Sequence, residues 1–568
     1  MTSVLDRDVQ ILPLDAHTLA LRCRSSKRLR FEVEYGLERG TTANSYLLQG
    51  EHLVLIDPPG EAFQAIFLAA LSDRVDLAAI KYLILGHINP NRFHTVKALL
   101  ARSPQITIIC SNPGAKILES LIEAPLPNLL VIKSEEYLDL GADHQLRFIP
   151  TPTPRYADGL CTFDLKSKIL FSDKLFSAHI CGDQLFDEGW QSLLEHRRYF
   201  FETVLATQAR QVESALERLQ PLAPNLIAPA HGPVVRYGLS QLLQLYQEWC
   251  AAQNSQTLVI AMLYASAYGN TTTMAQAIAR GITKVGIRVE SINCEHADAG
   301  QIKQVVEQAN GIVIGSPTLG GHLPTQIQTA LGIILATASK SCPIGVFGSY
   351  GWSGEAVDLI TAKLKDAGFS FGFEPIKHKL TPTAATLQMC EEIGTDFAQK
   401  LKQIKKVKMT LNPASSVEQA VGRVIGSLCV ITVKREGIST AMLASWVSQA
   451  TFTPPGIMVA VAKERAIESF LYPDDTFVLN VLAEGKTTHK HFMKKFAPGA
   501  DRLVDIPTQD TQNGSPILTE ALAALECRVQ QRMECGDHWL VYAVAENGQL
   551  LQTNALTAVH HRKTGGHY

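Results

Sequence analysis

Eleven cysteines are scattered singly through 568 residues, and no two of them form a C-x-x-C pair. That absence argues against a zinc ribbon and a disulfide framework and leaves reduced thiols in a cytoplasmic setting as the plain expectation. No apolar stretch reaches the roughly 18 residues that a membrane-spanning helix requires. The N-terminal MTSVLDRDVQ lacks a basic region followed by an apolar one, so no secretory signal is expected. Neither sign of charge dominates. The net charge of −2 gives no reason to expect nucleic acid or an anionic membrane surface as a partner. A basic run from Arg22 to Arg30 reads as a solvated hairpin or arm. What remains is ordinary globular composition, 46% apolar and 19% charged. A chain this long exceeds a single core, and about three domains are expected.

Another absence marks the first segment, residues 1–250. In KYLILGHINPNRFHT an apolar run breaks at Gly86 and delivers His87, Asn89, Asn91 and Arg92. A strand followed by a loop spaced H-x-[E/H]-x-D-H is how metallo-β-lactamase-like domains present imidazoles and carboxylates to a metal pair. Here the spacing is kept and most of the ligand chemistry is not. Alternating apolar residues in FEVEYG, NSYLLQG and HLVLIDPPG predict short antiparallel strands joined by polar turns. A helix is expected over 61–71, and further strands at ITIICS, NLLVIKS, HQLRFIP and KILFSD. The order resembles the αββα metallo-β-lactamase sandwich.

Four places extend that resemblance to the diiron domain of flavodiiron proteins: GTTANSYLL with IDPPG, the loop at His87, the loop TPTPRYADG, and the pair FSD and PAHGP. Carried over residue by residue, the resemblance keeps His87, Asp173 and His231 as ligands. It puts Asn89 where Glu is expected, Asn91 for Asp, Arg92 for His and Arg155 for His. His94 stands two residues beyond the required position. A ferrous or ferric pair brings about four to six positive charges, which one carboxylate and two added guanidiniums do not offset. Even at an effective dielectric of about 20, each cation within roughly 4 Å costs on the order of 4 kcal/mol per unit of metal charge. A diiron centre is therefore not expected. Arg92 and Arg155 are expected to pair with Asp173 and leave an electropositive pocket for a small anion. The alternative is one weakly held metal on His87, Asp173 and His231.

Residues 255–405 alternate strands and helices: TLVIAMLY, a helix from Thr272, IRVESINC, a helix from Ala299, GIVIGSP, a helix from Pro324, CPIGVFG and a helix from Gly354. This predicts a doubly wound α/β domain with a parallel sheet whose ligands collect at the carboxyl ends of the strands. At the first such end Ser266, Tyr268, Gly269, Asn270, Thr271 and Thr272 set hydroxyls, amides and backbone N–H groups at a helix N-terminus, a phosphate cradle. Pro317, Thr318, Gly320 and Gly321 follow the third strand. Ser349, Tyr350, Gly351, Trp352 and Gly354 follow the fourth, and glycines let backbone approach a flat ring on which Tyr350 and Trp352 can stack. Three such loops in register resemble a flavodoxin domain, which implies FMN. A flavodoxin-like domain behind a metallo-β-lactamase-like one is the flavodiiron order.

A helical stretch ending in a basic run and the polar LNPASS form a linker. Residues 415–568 then give SLCVITVK, IMVAVAK, TFVLNVLAE and WLVYAVAE, β-rich segments that suit a small barrel. The stretch GSLCVITVKREGISTAMLASWVSQATFTPPGIMVAVAK, with FVLNVL and GDHWLVYAV, resembles the flavin reductase family with its split barrel. The resemblance implies a second flavin, FMN or FAD, on Thr440, Ser445, Ser448 and Asn480, with His538 near a nicotinamide or simply at the surface. His489, Lys490, His491, Lys494 and Lys495 read as a solvated basic helix, or as an attractor for a nucleotide phosphate. The tail HHRKTGGHY is expected to be surface.

Three modules in this order resemble class C flavodiiron proteins, the diflavin flavoproteins of oxygenic photosynthetic organisms. The resemblance implies oxidation of NAD(P)H, or another reduced donor such as ferredoxin, with oxygen reduced to water at a diiron centre reached across a head-to-tail dimer. With its ligands replaced, this chain is expected to feed a ligand-complete paralogue in a hetero-oligomer and to reduce oxygen poorly alone. A regulatory subunit whose Arg92 and Arg155 pocket senses an anion is a second reading. Hydrolysis is poorly supported, since the water-activating ligands are missing and two flavin modules would have no role.

Overall fold

The computed structural model describes residues 7–26, 40–122, 128–406, 416–435, 437–485 and 487–562. The expected strand at FEVEYG, most of the linker at LNPASS and the last residues of the tail lie outside them. The chain divides into two compact units, the first holding 1–276 with 287–344 and 358–370, the second 277–286 with 345–357 and 371–568.

The N-terminal segment of the first unit is built on two sheets. One orders β1 (Arg7–Pro13), β2 (Thr18–Ser25), β3 (Thr41–Gln49), β4 (Leu53–Ile56), β5 (Ile80–Ile84), β6 (Thr107–Ser111) and β7 (Leu129–Ile132) as neighbours in sequence. The other runs β12 (Leu226–Pro229), β11 (Ile169–Asp173), β10 (Leu160–Asp164), β9 (His144–Pro150) and β8 (Glu136–Gly141). Inward-facing Tyr46, Val54, Ile56, Ile84, Phe148 and Phe171 from both sheets form one shared core. Outside the first sheet α1 (Gln64–Ser72), α2 (Pro90–Arg102) and α3 (Asn112–Leu121) bury Phe67, Val96 and Leu118 against its other face. Outside the second, α4 (Trp190–Phe200), α5 (Ala209–Leu219) and α6 (Leu239–Asn254) bury Phe200, Val212 and Tyr246. The layers are therefore αββα, as expected, and β4, β5, β11 and β12 all end at the same rim, where their loops gather.

One part of the N-terminal expectation is corrected. Arg22 is not solvated: its side chain is fully buried on β2 and donates to the Gln10 side chain and the Gln184 carbonyl, both at 2.7 Å. Arg24 pairs with Asp8 and Asp183 at 2.6 Å. A strand that turns alternate residues inward buries part of any basic run it carries.

The middle segment holds a five-stranded parallel sheet in the order β14 (Arg288–Asn293), β13 (Val259–Tyr264), β15 (Gly311–Thr318), β16 (Ile344–Tyr350), β17 (Ile376–Lys379). Its helices are α7 (Asn270–Lys284), α8 (Ala299–Gln308), α9 (Thr325–Thr337), α10 (Glu355–Asp366) and α11 (Ala384–Lys406). Order 2-1-3-4-5 puts the switch point beside β13, where the first loop emerges.

In the last segment, after α12 (Ser416–Val421), a seven-stranded antiparallel sheet runs β19 (Ile438–Ala444), β18 (Cys429–Arg435), β22 (Thr476–Leu482), β25 (Ala521–Cys535), β26 (His538–Leu550), β21 (Pro455–Ala462), β20 (Val447–Phe452), with a small pair β23 (Thr508–Gln509) and β24 (Ile517–Leu518) beside it. Met442 and Ile431 near one end of that order share a core with Ile457 and Val459 near the other. The sheet therefore curls on itself, as a barrel does. The basic cluster near 490 opens on a short helix, α13 (Thr488–Phe492), with no buried residue; Lys490, Lys494 and Lys495 are exposed, while half-buried His491 bonds the Arg502 carbonyl at 2.9 Å. Among the described residues no helix is long and apolar enough to cross a membrane.

Candidate functional sites

The loop after β5 sits where the sequence placed it. Gly86 N–H donates to Asp57 at 2.8 Å and leads into His87. Asn89 does not face a metal position: it is the N-cap of α2, its Oδ1 accepting from Arg92 N–H at 2.8 Å, with Pro90 at the first helical position. Asn91 accepts from the Glu61 N–H at 3.2 Å. Arg92, on the first turn of α2, is thereby turned into the rim and buried.

There its guanidinium meets two carboxylates. Nη1 donates to Asp57 Oδ1 at 2.9 Å and to the His87 carbonyl at 2.7 Å, while Asp173 Oδ1 stands 3.4 Å away. Asp57 is thus its nearer partner, a residue that sequence reasoning left unnamed inside IDPPG. Burial pushes the Asp57 carboxyl up, Arg92 pulls it down and Asp173 pushes it up again. Asp57 and Asp173 each hold the left-handed backbone that strand-end turns impose, at φ 52° and 45°.

His87 Nδ1 stands 2.8 Å from Asp158, whose other oxygen accepts from Ile88 N–H at 2.6 Å. Burial alone would raise Asp158, but His87 and that N–H hold its carboxyl below the ordinary range. The Tyr156 ring packs edge-on to His87, with the Arg155 guanidinium 5.3 Å and the Lys174 ammonium 5.9 Å from its centre. Burial pushes the Tyr156 hydroxyl up to about 12.

His231 is committed at both nitrogens. Nδ1 lies 2.7 Å from the Thr42 carbonyl, which fixes the proton there, so Nε2 accepts from Lys174 Nζ at 2.9 Å. Burial, then Lys174 and His179, hold the imidazole well below its usual value and keep it neutral. His94 lies outside this rim, its side chain 55% exposed and 3.9 Å from Glu61.

This donor set does not fit a metal pair. Asn89 and Asn91 are spent on backbone donors, a guanidinium lies between two of the carboxylates, and an ammonium occupies the His231 nitrogen that a metal would need. Among the described residues no group of three His, Cys, Asp or Glu is placed to hold a metal ion. The expected pairing of Arg92 with Asp173 is present, and Asp57 adds a second, nearer carboxylate that the motif count left out. Asp158 and Lys174 stood unremarked in the quoted PRYADG and beside FSD.

In the middle segment the first loop fits a phosphate. Gly269, at φ 77°, turns the chain onto the N-terminus of α7, and Ser266 Oγ caps Thr272 N–H at 3.2 Å. Tyr268 is 84% exposed and Asn270 half-buried, while Thr271 is buried. The second loop carries Pro317, Thr318, Gly320 and Gly321, the last two at φ 57° and 80°, and the third carries Ser349, Tyr350, Gly351, Trp352 and Gly354. A Cβ added at Gly320, Gly321 or Gly351 would meet nothing within 4 Å, so these backbones border open space. Trp352 is 97% exposed. A bare loop with an exposed indole at the carboxyl ends of a parallel sheet has the chemistry of a flat-ring site.

In the last segment Thr440 of β19 is buried, and among the described residues its Oγ1 has no hydrogen-bond partner. An orphan hydroxyl at the position assigned to a flavin is what a missing ligand group would satisfy. Ser445 is buried at the end of β19, and Ser448 is exposed on β20 with its Oγ on the Gln449 carbonyl at 3.1 Å. Asn480 is placed differently. Its amide donates to the Val430 carbonyl and Thr432 Oγ1 and accepts from Leu518 N–H at 2.8 Å, so it ties the sheet together. His538 bonds Asp537 at 2.8 Å and lies against Trp446, ring centres 4.9 Å apart, an aromatic partner that sequence reasoning did not name.

Three family descriptions match the chain in this order: an ODP family beta lactamase over 41–232, a flavodoxin over 262–394 and a flavin reductase like domain over 421–565. Diflavin flavoprotein A 6 of Nostoc sp. (strain PCC 7120) is 59% identical over 570 residues, covering 100% of both chains. Diflavin flavoprotein A 1 of Synechocystis sp. (strain PCC 6803) is 40% identical, covering 97% of this chain and 96% of its own. Among solved structures, the metal-soaked Flv1 flavodiiron core from Synechocystis sp. PCC6803 is 55% identical, with a TM-score of 0.69 over 70% of this chain and 100% of its own.

Proposed function

This chain belongs to the diflavin flavoprotein A family of flavodiiron proteins, and from that premise we propose that it passes electrons from NAD(P)H, or from another reduced donor such as ferredoxin, to a partner chain that reduces oxygen to water. The observation that carries the reading is the closure of the first site. The Arg92 guanidinium and the Lys174 amine occupy the space in which the family's metals would need donors, while the flavin loops keep their chemistry.

In the middle segment Ser266, Asn270, Thr271 and Thr272 would hold the phosphate of FMN through hydroxyls, an amide and the N-terminal dipole of α7. Tyr350 and Trp352 would cover its ring. In the last segment Thr440, Ser445 and Ser448 would hold a second flavin, FMN or FAD, with His538 at the nicotinamide end. Flavins, when bound, take a hydride's two electrons together and release them singly. The chain's own contribution is to present both rings while excluding a diiron centre of its own. A ligand-complete paralogue, paired head-to-tail, would supply that centre.

Against the anion-sensing alternative stands the pairing of Arg92 with Asp57 and Asp173, which already engages that guanidinium. The test is purification of the chain, determination of iron and flavin per protomer, and anaerobic addition of NADH or NADPH. Two flavins, bleaching of their spectrum and less than one iron support the reading. Two irons per chain, or flavins that neither nucleotide bleaches, contradict it.

A further inference from the structure

Inside the second unit, the last turns of α7 carry Arg280 and Lys284 into a buried cluster of charge. The Arg280 and Glu391 side chains are each 1% exposed, Arg532 2% and Glu468 4%. Arg280 Nη1 donates to Glu391 at 2.5 Å, and Nη2 donates to the Tyr472 hydroxyl at 3.1 Å and to Glu468 at 3.4 Å. Lys284 joins both carboxylates, Glu468 at 2.8 Å. From β25, Arg532 takes the remaining oxygen of Glu468 at 2.8 Å. Its guanidinium lies between the Tyr472 ring, 3.5 Å away, and the Trp539 ring, 4.1 Å away, and Trp539 follows His538.

We infer that this cluster is a positioning device that locks the helix rising from the phosphate loop against the strand bearing His538, with Arg280 and Glu468 as its central pair. Three cations and two carboxylates removed from water recover their solvation only in one geometry, whereas an apolar seam tolerates sliding. A second feature points the same way. A Cβ on Gly281 would stand 1.9 Å from the Glu391 carbonyl, and one on Gly394 2.1 Å from the Ile278 carbonyl, so α7 and α11 touch backbone to backbone. Glu391 thus projects from a helix already fixed to α7, and Glu468 and Arg532 extend that fixation to the barrel strands. The inference deepens the proposed function and rests on it, since a fixed angle matters where two flavins exchange electrons.

The test is a distance between spin labels on Cys535, exposed at the last position of β25, and on an introduced Lys379→Cys, in a Cys181→Ser background, read by pulsed electron resonance. The parent should give one narrow distribution. Glu468→Gln should broaden it at least twofold and speed amide exchange along α7 at least tenfold, and Glu468→Asp should recover part of both. Where Glu468→Gln does not fold, the double variant Arg280→Gln/Glu391→Gln carries the test, because it removes one charge of each sign. With both flavins bound, transfer between them should slow about tenfold while reduction of the barrel flavin by nucleotide is unchanged. A distribution as narrow as the parent's, with unchanged α7 exchange, overturns the inference. Flavins that no nucleotide reduces count against the proposed function instead, and leave the distance measurement decisive for the cluster.

Discussion

Lys174 places its ammonium 2.9 Å from His231 Nε2, the one nitrogen of that imidazole not already bonded to the Thr42 carbonyl. A histidine kept as a ligand by sequence is thus occupied by the chain's own cation. Replacing Lys174 by Met should raise the His231 value from its depressed position toward the usual 6.5, though burial keeps it below. Ring resonances of His231 followed by NMR through pH 4 to 8 check this, and no movement between parent and variant would contradict it.

Arg92 compensates Asp57 and Asp173, and all three side chains are buried. Arg92→Ala should cost about 3–5 kcal/mol, since it strands two buried carboxylates. The sign of the pH dependence follows from Asp57. Its folded value lies above its ordinary 3.8 because of burial, and loss of Arg92 pushes it further up. A carboxyl raised in the folded state gains stability as pH falls toward its unfolded value. Urea unfolding should therefore show a smaller deficit for the variant at pH 5 than at pH 8. An equal or larger deficit at pH 5 would refute the assignment.

Much of this was legible in the sequence. The αββα layers follow from alternating strands at NSYLLQG and HLVLIDPPG, and the parallel sheet from apolar runs separated by helix-length segments. The spacing around His87 located the rim. What it did not yield was partner choice. Asp57, Asp158 and Lys174 lie up to 117 positions apart in the chain, and only closure of two sheets brings them to one rim. Counting ligands within the motif therefore left Asp57, the nearer partner of Arg92, out of the charge count. Arg22 failed for a local reason: a basic run read as a block hides the alternation of a strand.

Thr440 offers a cleaner probe of the second flavin. Thr440→Val keeps the shape and deletes the orphan hydroxyl, so the ligand-free chain should be equally or slightly more stable. Flavin affinity of the last segment should fall about tenfold, near 1.4 kcal/mol. Fluorescence titration with FMN and FAD, alongside melting of the apoprotein, reads both effects. Unchanged affinity for either flavin would remove Thr440 from the site.

Asn480 should behave in the opposite way. Its amide joins β18, β22 and β24, so Asn480→Ala should cost roughly 2–3 kcal/mol through buried groups left unbonded. Flavin affinity of the folded fraction should be unchanged. A stable variant with weakened flavin binding would restore the contact that resemblance assigned to it.

The central claim is that this chain supplies electrons and cannot complete oxygen reduction by itself. Oxygen uptake with NADH and NADPH, measured for the purified chain alone and after mixing with a ligand-complete paralogue, tests it most directly. We expect slow uptake with peroxide release from the chain alone and at least a tenfold acceleration without peroxide in the mixture. Fast four-electron reduction of oxygen to water by the chain alone would contradict the account.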